Sequence, residues 1–248
     1  MAHNSQPRVI GCIPSRYAST RLPGKPLCDI GGKAMILHVV EKAREAQRLD
    51  DVVVLTDDQR ILDTVIGAGH HAVMTAPECA SGTDRIADYI QHCPDGDVFV
   101  NIQGDEILLE PDHIDDLVDD FLKRPAAQMG TLAQWVSERD VLTSASTAKI
   151  VTTTSGDALY FSRHCIPVTQ NGDLPDRALI HIGVYIYTRE TLQQLTGFEQ
   201  SPLEKCEKLE QLRALENGIT VAVTIVDHFH SLSVDTPEDL QKARSLFD

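Results

Sequence analysis

The first apolar run, VIGCIP at 9–14, is short and unbroken and reads as a buried strand. Beyond a polar loop, Ile36, Val39, Val40 and Ala43 recur at helical spacing and predict a helix over 34–47. A second apolar strand comes next at 52–55 and ends in Thr56-Asp57-Asp58, with helix expected over 61–68, strand over 72–75 and helix over 84–93. DVFVNI at 97–102 reads as another buried strand, leading into Gln103-Gly104-Asp105-Glu106 and then a helix over 111–123 with Pro111 in its first turn, where proline is tolerated. Strands alternating with helices imply an α/β chain with a mostly parallel sheet covered by helices on both faces. The second half is less regular. Strands are expected at 148–153, 158–162 and 182–188, with Ser155-Gly156-Asp157 as a turn and 170–175 as a loop. A helix over 203–217 is stopped by Gly218, strands lie at 219–226 and 232–234, and Thr236 caps a terminal helix that has Pro237 at its first position. No repeat, low-complexity segment or linker interrupts the chain, so a single domain over 1–248 is expected.

Composition narrows the class. The 248 residues are 42% hydrophobic, enough for a sizeable core, while aromatics make up only 5%, so aliphatic side chains must fill it. No apolar run is long enough to span a bilayer, and the polar start lacks a signal-type segment, so a cytoplasmic protein without a membrane partner is expected. The six cysteines are scattered and form no CxxC pair, which indicates neither a disulfide framework nor a zinc cluster. The net charge of −15 argues against a nucleic-acid partner. It would also repel an anionic small substrate, which would then need a local cationic pocket, a metal ion, or both.

Three loops at the carboxyl ends of predicted strands, where open α/β sheets bind ligands, meet that need. The first reverses the local sign of charge: from Arg8 to Cys28 there are four cations (Arg8, Arg16, Arg21 and Lys25) and no acid. Small residues and Gly24 would let backbone N–H groups approach phosphate oxygens that Arg16, Arg21 and Lys25 neutralise. An ordinary solvated loop is the competing reading, and the GxxxxGK[ST] pattern is absent. The second loop places Asp105 just after a strand, where a carboxylate can hold Mg²⁺ or merely cap a turn. The third places Asp235 in the same way, as a second metal acid or a helix-capping residue. Spacing alone does not bring Asp105 and Asp235 together. The string Gly67 to Ala72 matches GxGxxA but comes after a predicted helix and precedes a strand, the reverse of a dinucleotide turn. His228 and His230 would share one face of a strand without a third ligand, and no GxSxG elbow occurs.

Eight segments in order carry a resemblance over most of the chain: PSRYASTRLPGKPL (14–27), LTDD (55–58), SGTDRI (81–86), NIQGDE (101–106), ALYFSR (158–163), HIGVYIY (181–187), EKLEQLRALE (207–216) and VDTPEDL (234–240). On these the chain resembles the CMP-Kdo synthetases, the 3-deoxy-manno-octulosonate cytidylyltransferases. The resemblance implies a Rossmann-like, GT-A-like nucleotidyltransferase fold, a homodimer, and transfer of CMP from CTP to the anomeric hydroxyl of Kdo with release of pyrophosphate, for lipopolysaccharide biosynthesis. It implies that Pro14, Ser15, Arg16, Arg21, Lys25, Asp57, Ser81, Gly82, Thr83, Arg85 and Gln103 surround CTP. Gln103, Arg163, His181, Tyr185, Glu210 and Gln211 match sugar-pocket positions, Asp105 and Asp235 match Mg²⁺ ligands, and Arg16, Lys25, Asp105 and Asp235 carry the catalytic roles. A subregion at about 145–200 is expected to serve sugar binding and dimerisation. The chain departs from the family pattern at Ile107, over 144–149 and at Ile180, which bears on the choice of acid sugar more than on the reaction. A cytidylyltransferase for a related acid sugar, such as the 8-amino analogue of Kdo or a nonulosonate, remains an alternative. A glycosyltransferase would need a DxD-type site that the acids do not form, and a non-catalytic nucleotide-sugar sensor should have lost one of the four catalytic residues.

Overall fold

The computed structural model describes residues 6–18, 22–93, 95–230 and 232–247. The chain gathers into two compact units, one of Met1–Asp115 with His230–Asp248 and the other of Asp116–Phe229.

The first unit runs β1 (Val9–Ser15), a two-stranded hairpin of β2 (Asp29–Ile30) and β3 (Lys33–Ala34), α1 (Met35–Glu45), β4 (Asp51–Thr56), α2 (Gln59–Gly67), β5 (His71–Met74), α3 (Gly82–Ile90), β6 (Val98–Asn101) and α4 (Pro111–Leu122), within which the division falls. Its strands lie in the order β6-β1-β4-β5 and are all parallel. Strands buried on both faces need apolar residues at every position rather than every second one. That is why VIGCIP, VVVL and VFV read as unbroken runs, with Ile10, Ile13, Val53, Val54, Leu55, Phe99 and Val100 at or below 1% exposure. Each such side chain contributes roughly 1.5–3 kcal/mol of burial, so the core rather than the polar loops secures the unit. α1 covers the sheet with Ile36, Val39 and Val40, the helical-period stripe seen in the sequence, and α3 does so with Ile86 and Ile90. The register aligns Ser15 with Thr56 and Cys12 with Asn101, so the loops leaving β1, β4 and β6 emerge from one edge.

The second unit contains β7 (Met129–Val136), α5 (Arg139–Thr143), β8 (Lys149–Thr152), β9 (Ala158–Ser162), β10 (Ala178–Thr188), α6 (Arg189–Gly197), α7 (Pro202–Glu207), α8 (Gln211–Glu216) and β11 (Val221–Ile225). β7 is its central strand, parallel to β11 and antiparallel to β10, which is bulged between Ile182 and Tyr185. β8 pairs antiparallel with both β10 and β9. The final helix, α9 (Pro237–Phe247), belongs to the first unit, where Arg244 Nε donates to Asp29 O at 2.9 Å and Phe247 packs on the His38 ring.

Several expectations change. The helix expected over 203–217 is two helices: Lys208, at φ 56°, takes a left-handed conformation and ends α7, and α8 starts after Glu210. The expected strand at 232–234 is a single bridge from Ser233 to Glu106. The strand expected to 226 ends at Ile225, and His228, at φ 58°, lies outside any strand, so the shared strand face expected for His228 and His230 is absent. β7 and α6 carried no expectation, and β10 begins four residues earlier than its β-branched pattern, at Ala178. The GxGxxA string does come after a helix and precede a strand.

Candidate active site

Fifteen residues of the first unit line a cavity of about 390 Å³: 14–16, Ala18, Lys25, Pro26, 79–82, Arg85, 103–105 and Asp235. Pro14 and Ser15 end β1, and Arg16 opens the loop beyond it; Ser15 is buried with a hydroxyl that has no partner among the described residues, and Arg16 is exposed. Arg21 lies outside the described residues. The loop's return to Lys25 uses Gly24 at φ 70°, a conformation that suits glycine, and a Cβ there would meet the Tyr17 ring at 3.0 Å. Tyr17 is in turn covered by the Arg60 guanidinium, 3.4 Å from the ring centroid, and Arg60 is held by Asp58 through bonds of 2.9 and 2.6 Å. This clamp on the loop has no signature in the sequence, since α2 carries no nucleotide-type motif.

On the opposite wall, Ser81 caps α3 in a reciprocal box with Asp84, and Gly82 and the buried Thr83 form the first turn. A helix start beside small residues is suited to anionic oxygens. Gly82 keeps its distance from Pro14: a Cβ would come within 3.3 Å of that ring. Arg85 points back, buried, and donates to Asp57 at 2.7 Å and to Thr75 Oγ1 at 2.5 Å, so it anchors the turn after β4. Gln103 donates to Asn101 at 3.3 Å.

The floor of the cavity decides its chemistry. Lys25 Nζ lies 2.5 Å from Asp105 Oδ2 and 2.9 Å from Asp235 Oδ1. The two acids, distant in sequence, therefore converge on one point. They are stitched there by Val234 N to Asp105 O at 3.3 Å, Ser233 Oγ to Asp105 Oδ2 at 3.1 Å and Leu232 N to Glu106 Oε1 at 3.0 Å. Asp239 takes up the N–H groups of Asp235 and Thr236 and the Thr236 hydroxyl. The Thr236 hydroxyl bond first, and then those N–H bonds, hold its carboxyl below the usual range. The pair fits a divalent cation: two hard carboxylate donors already face one positive charge, that of the Lys25 ammonium. Among the described residues no group of three or more His, Cys, Asp or Glu could hold a metal.

The second unit gathers the remaining predicted residues. His181 and Tyr185 lie along β10 with ring centroids 5.4 Å apart, and Phe161 meets His181 edge-on at 5.2 Å. Burial pushes the His181 imidazole down to about 3 and raises the Tyr185 phenol well above its ordinary value. The Tyr185 hydroxyl donates to Gln211 Oε1 at 3.2 Å, while the buried Gln211 Nε2 has no partner among the described residues. Glu210, just before α8, is half-buried, and its charge is one of the lesser causes that raise the Tyr185 phenol. Arg163 spends its guanidinium on backbone carbonyls of Glu207 (2.8 Å), Ala145 (3.1 Å), Ser146 (3.4 Å) and Lys208 (3.1 Å). The fully buried Lys149 ammonium donates to the carbonyls of Ser144, Thr147 and Arg163, and nothing in the sequence singled it out.

A strand-edge cavity with a cationic loop, a capped helix start and two convergent acids defines a nucleotidyltransferase, and the cytidylyltransferase family model matches residues 10–225. A 3-deoxy-manno-octulosonate cytidylyltransferase of Myxococcus xanthus is 46% identical over 96% of this chain and 96% of its own. Its counterpart from Trichlorobacter lovleyi is 42% identical over 96% and 97%. The chain belongs to the 3-deoxy-manno-octulosonate cytidylyltransferase family. The solved structure of a CMP:2-keto-3-deoxy-manno-octonic acid synthetase complexed with CTP superposes with a TM-score of 0.90 at 40% identity, covering 96% of this chain and 98% of that one.

Proposed function

We propose that this enzyme transfers CMP from CTP to the anomeric hydroxyl of Kdo, giving CMP-Kdo and pyrophosphate for lipopolysaccharide biosynthesis. The observation that carries the reading is the Lys25 ammonium bridging Asp105 and Asp235 inside the cavity of the cationic loop. CTP would lie across Pro14, Ser15 and Arg16 and against the start of α3, with Ser81, Gly82 and Thr83 at its oxygens and Asp57, Arg85 and Gln103 supporting the walls. Arg21, in the same loop, would add charge. The sugar hydroxyl attacks the α-phosphorus in line and pyrophosphate departs, a reaction governed by positioning and charge stabilisation. Arg16 and Lys25 offset the charge that builds on the leaving pyrophosphate. Asp105 and Asp235 would hold Mg²⁺, which supplies Lewis-acid charge at the phosphate and sugar oxygens when bound.

His181, Tyr185, Glu210, Gln211 and Gln103 would recognise the sugar. The Gln211 Nε2, without a partner among the described residues, and the rings of His181 and Tyr185 near it support that assignment. Arg163 serves the same region by holding the 145–146 and 207–208 backbone segments in place. The 145–200 subregion would add the dimer contact of a cytoplasmic homodimer. Among the described residues no helix is long and apolar enough to cross a membrane.

The test is pyrophosphate release from CTP with a panel of acid sugars, with and without EDTA. Kdo as the preferred acceptor and loss of turnover in EDTA are expected. Preference for the 8-amino analogue or a nonulosonate would reassign the sugar, and no release with any of them would reject the reading.

A further inference from the structure

Thr131, the third residue of β7, is fully buried and faces the bulge in β10. Its Oγ1 lies 2.8 Å from Val184 O, 3.2 Å from Ile182 O and 3.0 Å from His181 Nε2. A hydroxyl carries one proton, and a carbonyl oxygen only accepts. Were the Thr131 proton given to the imidazole, two carbonyl oxygens would face the hydroxyl lone pairs at 2.8 and 3.2 Å with nothing between them. The proton therefore goes to the carbonyls, chiefly Val184 O, and the contact with His181 exists only if Nε2–H donates to Oγ1. We infer that Thr131 is a positioning residue that fixes His181 as its Nε2–H tautomer, leaving Nδ1 as a lone-pair acceptor for a hydroxyl of the sugar substrate. This rests on, and deepens, the reading of His181 as a sugar-pocket residue.

Three further observations agree. Among the described residues Nδ1 has no hydrogen-bond partner, so its lone pair is available. The Phe161 and Tyr185 rings flank the imidazole and hold its plane. Burial keeps the ring neutral near pH 7, so Nδ1 does not become a donor. The bulge is the device that makes this possible. By slipping the register between Ile182 and Tyr185 it turns two carbonyls of one strand toward a single side chain of its neighbour. The consequence is a rule of selection: Nδ1 welcomes a donor and repels an acceptor. His181 thus meets the hydroxylated part of the sugar, and the sugar carboxylate lies elsewhere. An ammonium group would satisfy the same nitrogen, so this contact does not by itself separate Kdo from an amino analogue.

The experiment is a two-bond ¹H–¹⁵N correlation spectrum of the full chain labelled in its histidines, with the His181 signal identified by its loss in His181→Gln. The expected result is an Nε2–H pattern in the wild type and in Thr131→Ser, which keeps the hydroxyl, and a mixed or Nδ1–H pattern in Thr131→Val. Alongside, Thr131→Val should raise KM for the acid sugar about tenfold, as for one lost hydrogen bond, without moving KM for CTP. An Nδ1–H signal in the wild type, or an unchanged pattern in Thr131→Val, overturns the inference; if that variant does not fold, the wild-type and Thr131→Ser spectra still decide. A changed tautomer with an unmoved sugar KM overturns the acceptor role, and with it the sugar reading of His181, while the tautomer assignment stands.

Discussion

Lys25 touches both Asp105 and Asp235 and is only 15% exposed as a side chain, so one ammonium joins the cationic loop to the two acids. Electrostatic groups that act on charge developing in the transition state are individually worth about 10²–10³ in kcat. Lys25→Ala and Asp105→Ala should each lose that much in purified protein with an unchanged circular dichroism spectrum; near-normal turnover in either would remove it from the mechanism. His181 supplies a prediction about stability. Its ordinary value is 6.5, and desolvation in the fold lowers it to about 3. Between those values the unfolded chain takes up a proton that the folded chain refuses, so stability is complete above pH 6.5 and declines as pH falls toward 3. Each pH unit well inside that window costs about 1.4 kcal/mol. Urea midpoints at pH 7 and pH 5 should fall further for the wild type than for His181→Gln, and equal slopes would show that burial does not hold the ring neutral.

The break between α7 and α8 is where local pattern and tertiary structure part. Leu209, Leu212 and Leu215 continue a helical period through the break, so the pattern predicts one helix. α7 starts at a reciprocal cap of Ser201 with Glu204 and ends at a left-handed Lys208, and Arg213 of α8 reaches back to Glu204 in a buried ion pair, Nη2 and Nε at 2.6 and 2.8 Å. Burial works to raise the Glu204 carboxyl, but the bonds and charge of Arg213 outweigh it and hold it below its usual range. Removing one charge of such a pair strands the other, at a cost of about 3 kcal/mol. Glu204→Gln should lower the unfolding free energy by that amount in urea titrations; a change under about 1 kcal/mol would mean that water reaches the pair. The same contrast explains what could be read beforehand. The parallel strands of the first unit announce themselves as apolar runs because both faces are buried. β7 (MGTLAQWV) mixes glycine, threonine and glutamine, because Gly130 must clear Ile186, where a Cβ would come to 2.7 Å, and Thr131 must serve a bulge on another strand. Arg16 and Lys25 stood out by a local reversal of charge. The meeting of Asp105 with Asp235 depends on the bridge between Glu106 and Ser233, and nothing in sequence spacing encodes it.

Taken whole, the protein carries −15 charges and takes a triphosphate. The far field is not decisive, since at physiological salt charges beyond about 8 Å are largely screened. What matters is the balance inside the cavity, whose charged lining is Arg16, Lys25, Arg85, Asp105 and Asp235. Arg85 is committed to Asp57, and Lys25 is shared between the two acids. Only exposed Arg16 makes no ion pair among the described residues of that lining. The described lining is so nearly neutral that it offsets little of a CTP tail of several negative charges, and two of its members are carboxylates that would face that tail directly; Arg21, outside the described residues, would add one charge. Most of the positive charge must therefore come with the nucleotide. CTP binding measured by calorimetry should therefore be at least tenfold tighter with Mg²⁺ than in EDTA. Asp105→Asn with Asp235→Asn should narrow that gap, because the doubly neutral floor repels bare CTP less and holds the ion less. Equal affinity with and without Mg²⁺ in the wild type would mean that the loop cations alone neutralise the phosphates, and that the two acids serve only to position Lys25.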